Sequence, residues 1–148
     1  YINTTNNLGR SESAEKVISL VAPKIPSSLA RSFDGEYMLG IYSFDTNEPF
    51  IILTTSDYAL SFSGMLKWEK DMPSDFEKLF SIPQNVVASA LEFKDEALRN
   101  KDLRILQNDN KKTILLYSFI DKNTLVITTR EDILNAIIAR YNISKQIR

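Results

Sequence analysis

The sequence predicts an α+β domain: an antiparallel sheet of about five strands, built from two ββα-like halves, with flanking helices. Three observations predict it. Apolar runs rich in β-branched and aromatic residues come in pairs around short turns, YMLGIYSF (37–44) with FIILTTS (50–56) and TILLYSFI (113–120) with TLVITT (124–129). Each pair leads into a stretch with helical spacing of its apolar residues. The 148 residues, 43% of them hydrophobic, suit one core rather than two small ones.

Residues 1–12 are polar and aperiodic and read as a flexible tether. From Ser13, a helix N-cap, Ala14, Val17, Ile18 and Val21 mark a helix that Pro23 stops. A short helix over 27–33 follows Pro26 and ends near Asp34-Gly35. The first hairpin turns at Asp45-Thr46-Asn47. Tyr58, Phe62, Met65, Leu66 and Glu69 then give a helix that Pro73 interrupts, with Ser74 as cap of a short helix 75–80. Residues 81–102 fit either a loop carrying one strand near 91–94 or a weak helix through Glu96–Arg99. LRILQ (103–107) opens a meander through the second hairpin, with turns at Asn108-Asp109-Asn110 and Lys122-Asn123. Ile133, Leu134, Ile137, Ile138 and Tyr141 mark a closing helix, so the domain is expected over 13–142 and a tail over 143–148.

The two hairpins share Tyr-Ser-Phe at 42–44 and 117–119, and Thr-Thr at 54–55 and 128–129. Thr54 with Asp57, and Thr128 with Glu131, have the spacing of a capping box, in which a hydroxyl satisfies a first-turn N–H and a carboxylate reaches back. Duplication and independent solution of the same strand-to-helix junction both account for the repeat. Both hairpins are apolar at nearly every position, which predicts central strands covered on both faces.

Composition excludes much chemistry. The chain has no Cys, which removes thiolate nucleophiles, disulfides and Cys-ligated metals, and no His, the usual general base near neutral pH. A formal net charge of −1 gives no broad positive field for nucleic acid. No apolar run reaches the ~20 residues that span a bilayer. Ser13-Ala14-Glu15-Lys16 spells S-x-x-K, but the K-T-G and S-D-N partners are absent and capping explains Ser13. Acids cluster at Asp71/Asp75, Glu92/Asp95/Glu96 and Glu131/Asp132, interleaved with bases or placed at helix starts where acids belong. No cofactor or metal site is expected.

The segment FDGEYMLGIYSFDTNEPFIILTTSDYALSFSGMLKWEKDMPSDFEKLF, followed by NKDLRIL, ILLYSF and TLVITT, resembles a group of uncharacterised proteins of candidate-phylum bacteria. The resemblance covers roughly residues 24–141, and Gly64-Met65-Leu66-Lys67-Trp68-Glu69 with Met72-Pro73 is its most distinctive piece. In that group the domain follows a single N-terminal membrane helix and a spacer. The chain here begins at Tyr1 rather than Met, so an upstream segment is expected. The resemblance implies a domain on the extracytoplasmic face of a single-pass protein at the cell envelope, and it carries no functional residues over.

These readings converge on a non-catalytic interaction or scaffolding domain with a protein partner at the envelope. Trp68, Met72 and Phe76 are the expected binding patch, an apolar anchor among charged neighbours. A small-ligand sensor is the alternative, and a carboxylate-dependent hydrolase stands third.

Overall fold

The computed structural model describes residues 11–147. Its elements run α1 (Ala14–Val21), α2 (Ser27–Ser32), β1 (Tyr37–Ser43), β2 (Asn47–Thr54), α3 (Tyr58–Trp68), α4 (Met72–Asp75), α5 (Gln84–Val87), β3 (Lys94–Leu98), β4 (Lys101–Gln107), β5 (Thr113–Asp121), β6 (Thr124–Thr128) and α6 (Glu131–Ile147). The strands form one six-stranded sheet in the order β1-β2-β6-β5-β4-β3, antiparallel at every pairing. Both hairpins therefore share one sheet, with β5 inside it. The tether expected over 1–12 lies, apart from residues 11 and 12, outside the described residues. The tail expected from 143 is instead helical, continuing α6 to Ile147.

Alternation along the strands divides the core in two. Ile51, Leu53, Leu115, Tyr117, Leu125 and Ile127 point to one face and pack with Ile18, Leu29, Phe33, Met65, Trp68, Met72 and Phe76 of the α1–α5 region. Leu103, Ile105, Leu116, Ile120 and Val126 point to the other and pack under Ile133, Leu134 and Ile137 of α6. All five residues of β6 are buried, as a strand covered on both faces requires. Gly64 lets α3 approach α2, since a Cβ there would lie 2.9 Å from Leu29.

Three expectations need correction. The sheet has six strands, not about five, because the uncertain stretch holds β3. The turn into β4 is Arg99-Asn100, both with positive φ, the backbone of a type I′ hairpin written without glycine. Pro73 is not what interrupts α3, which already ends at Trp68; it sits in the first turn of α4, where its missing N–H costs nothing. Ser74 accordingly lies inside α4, donating to the Asp71 carbonyl at 2.9 Å rather than capping.

The capping boxes do not form either. Thr54 Oγ1 donates to the Glu36 carbonyl at 2.7 Å, and Asp57 itself caps α3, accepting from Leu60 N at 3.0 Å. Thr128 Oγ1 donates to the Pro49 carbonyl at 3.1 Å, and Glu131 accepts from Thr113 Oγ1 at 2.6 Å. Threonine at these junctions ties neighbouring strands instead of opening helices. The repeat itself dissolves in space. Tyr42 lies opposite Glu48 beside its turn, whereas Tyr117 lies opposite Ile127, deep in the sheet. The helices that follow the two hairpins, α3 and α6, cover opposite faces. One ββα unit copied onto its neighbour in the same antiparallel sheet would have kept one face.

Candidate functional site

The two edges of the sheet are chemically unlike. β3 presents Lys94, Asp95 and Glu96 to solvent. β1 carries no charged side chain and leaves Met38 at 36% and Ile41 at 58% exposed, with Phe44 just beyond it at 88%. An apolar strand at a sheet edge is a template for pairing, whereas charges on an edge oppose it.

The β1 edge is held firmly in place. Arg130, at the entry to α6, donates to Thr46 Oγ1 at 2.8 Å and Asp45 Oδ2 at 3.2 Å, and pairs with Asp132 at 2.5 Å. The Arg130 hydrogen bond holds the Asp45 carboxyl below the usual carboxylate range. Thr129 Oγ1 donates to Glu48 at 2.9 Å, and with the Thr128 bond to Pro49 it clasps β2 from the α6 side. Beside β1, a hollow of about 390 Å³ on the α6 side is lined by Gly40, Tyr42, Phe44, Phe50 and Arg140, among others. Among the described residues Arg140 is exposed and makes no hydrogen bond or ion pair.

At the opposite end lies an open trough of about 900 Å³. Tyr58 and Phe62 from α3 stack at 5.7 Å, and Tyr58 meets Phe119 of β5 edge-on at 5.0 Å, forming an aromatic wall. The trough floor is a closed polar network. Arg104 grips Glu69 bidentately, Nε to Oε1 and Nη2 to Oε2, both at 2.7 Å, and reaches Asp95 at 3.0 Å. Tyr117 OH donates to the same Glu69 Oε1 at 2.7 Å. Burial, reinforced by Glu69, pushes the Tyr117 phenol well up, and Glu69 raises the Arg104 guanidinium further. The network joins α3, β3, β4 and β5, so its chemistry serves the fold.

Trp68, Met72 and Phe76 do come together, but in the core: each is 0% exposed. They are thus not available as a surface anchor. The corner between α3 and α4 folds them inward, where Trp68 and Phe76 meet edge-on at 5.2 Å. The indole can be wholly buried because its N–H donates to Asp75 Oδ2 at 2.8 Å. Asp75 also accepts from the Lys24 backbone N–H at 3.0 Å, so it clamps the start of the α2 region.

Asp121 is similarly engaged. It accepts from Tyr141 OH, from Lys145 at 3.0 Å and from Asn123 N at 2.8 Å. Burial by itself would raise its pKa, but these hydrogen bonds outweigh it and hold it at about 2. Ser13 caps α1, accepting from Lys16 N at 3.3 Å, while Lys16 Nζ pairs with Glu12, so the S-x-x-K residues make no nucleophile–base contact. Among the described residues no group of three or more acids is placed to hold a metal, and no helix is long and apolar enough to cross a membrane.

No protein-family model, curated protein or solved structure matches the chain.

Proposed function

We propose that this is a non-catalytic interaction or scaffolding domain that binds protein along the β1 edge, adding an extended segment of the partner to the sheet. The exposure of Met38, Ile41 and Phe44 on an uncharged edge strand carries the reading. Strand addition draws affinity from main-chain hydrogen bonds and selectivity from alternate side-chain pockets, and here the hollow beside Gly40 is such a pocket. The clasp of Arg130, Thr128 and Thr129 supports it, because a pre-ordered edge loses less entropy on pairing. The non-catalytic part rests on Asp57, Glu69, Asp75 and Asp121, which are committed to a cap, a clamp and ion pairs. The setting, the extracytoplasmic face of an anchored envelope protein, rests on the resemblance of residues 24–141 alone.

The test is site-specific photo-crosslinking in the native cell. A photoreactive residue at Ile41 is expected to give covalent protein adducts, and the same residue at Glu96 on the opposite edge is expected to give none. Equal labelling at both positions, or none at Ile41, would contradict the reading.

The aromatic trough favours a second reading, a small-ligand sensor. Its Tyr58, Phe62 and Phe119 wall offers a stacking surface that the α1–α5 layer leaves open. A ligand that raises the melting temperature of the wild type but not of Phe119→Ala would place binding there.

A further inference from the structure

We infer that the segment received by β1 is β1 of a second copy of this chain, paired antiparallel about a twofold axis at Gly40; this rests on β1 being the interaction edge. An isologous interface must be complementary to itself. β1 spans Tyr37–Ser43, so a twofold through its middle residue, Gly40, allows the whole strand to pair. In that register Met38 faces Tyr42 of the other copy and Leu39 faces Ile41. No like charges meet, because the strand has none, and the exposed Ile41 and Met38 gain apolar neighbours across the axis. The other edge fails the same requirement: β3 spans Lys94–Leu98, so a twofold through its middle residue would set Glu96 directly against Glu96 of the other copy.

Charge at the strand's ends supplies an independent argument. Continuing the register, Glu36 of one copy falls opposite Phe44 of the other, at the mouth of the hollow that holds Arg140. The Glu36 backbone carbonyl is bound by Thr54, but among the described residues its exposed carboxylate has no partner, and neither has Arg140. The twofold brings these two unpaired opposite charges together twice. On the same side, the Phe50 ring occupies the space a Cβ at Gly40 would need, so the middle of the strand is flat where the copies meet. A heterologous partner strand accounts for the apolar edge, but it gives no reason for an acid and a base placed at these two ends.

Sedimentation equilibrium of the full chain across a concentration series tests the inference. The wild type is expected to dimerise, and Ile41→Lys to abolish the dimer. Glu36→Arg and Arg140→Glu are each expected to weaken it by about tenfold or more, and the double variant to restore it. Thermal melts that match the wild type at concentrations low enough to keep it monomeric establish that the variants fold. A wild type that stays monomeric overturns the inference, as does a double variant no stronger than the singles. A monomer that still cross-links to another protein from Ile41 leaves the interaction reading standing, whereas a monomer without such adducts removes both.

Discussion

The two edges of this sheet solve one problem in opposite ways. β3 has exposed Lys94, Asp95 and Glu96 and is cross-braced through Asp95, Arg104 and Glu69 to α3. β1 shows Met38 and Ile41 to solvent, with Phe44 just beyond it, and is braced from behind, at its turn and through β2. Protected edges of the β3 kind keep sheets apart, so the β1 edge stands out as the one left open to pairing. Function can sit on an edge without cost to the fold. Stability resides in β5 and β6, buried on both faces, and an edge side chain can change without disturbing them.

Each prediction breaks or sharpens that contrast. The largest effect belongs to the centre: Ile127→Ala and Leu116→Ala, both 0% exposed, should each cost about 2–5 kcal/mol in denaturant melts. A cost near that of an edge mutation would erase the distinction between centre and edge. Next, Glu69→Ala leaves Arg104 with Asp95 as its remaining ion partner and removes the acceptor of Tyr117, costing about 2–3 kcal/mol, with the β3–β4 amides losing protection before those of β1. Thr128→Ala should cost about 1 kcal/mol by leaving the Pro49 carbonyl without its side-chain donor, loosening β2 rather than α6. Hydrogen exchange that reports fraying of α6 alone would restore a capping role.

A pH titration probes the brace between α6 and the β5–β6 turn. The Asp121 carboxyl is held down from 3.8 to about 2, so its stabilisation is complete above pH about 4 and is lost as pH falls toward 2. Asp121→Asn should therefore be less stable than wild type at neutral pH, with the gap closing between about pH 4 and 2. A gap independent of pH would assign the loss to packing. The smallest effect on stability is predicted for Ile41→Lys, within about 0.5 kcal/mol, because that side chain is 58% exposed.

Much of the fold was legible from local chemistry. Turn residues at Asp45-Thr46-Asn47, Asn108-Asp109-Asn110 and Lys122-Asn123 located both hairpins and the meander, and Ser13 gave the start of α1. β3 escaped because its residues, KDEAL, carry an edge strand's charges and its type I′ turn uses Arg99-Asn100 in place of glycine. The order of strands is a non-local property. Apolar β1 and β2 read alike as central, yet β1 lies at the edge, and only the order β1-β2-β6-β5-β4-β3 separates them. The candidate site was illegible for the same reason. Helical offsets group Trp68, Met72 and Phe76 correctly but do not tell which side the group faces, and the partner that permits a buried indole is Asp75, across the corner into α4. What exposes Ile41 and Phe44 is the lack of a neighbouring strand, which no spacing within β1 encodes.

Amide hydrogen exchange of the full chain, followed at low and high protein concentration, tests the contrast between the edges most directly. The account predicts that amides of 38–43 gain protection as concentration rises while those of 94–98 do not change. Unchanged exchange in 38–43, or protection that grows equally on both edges, would contradict it.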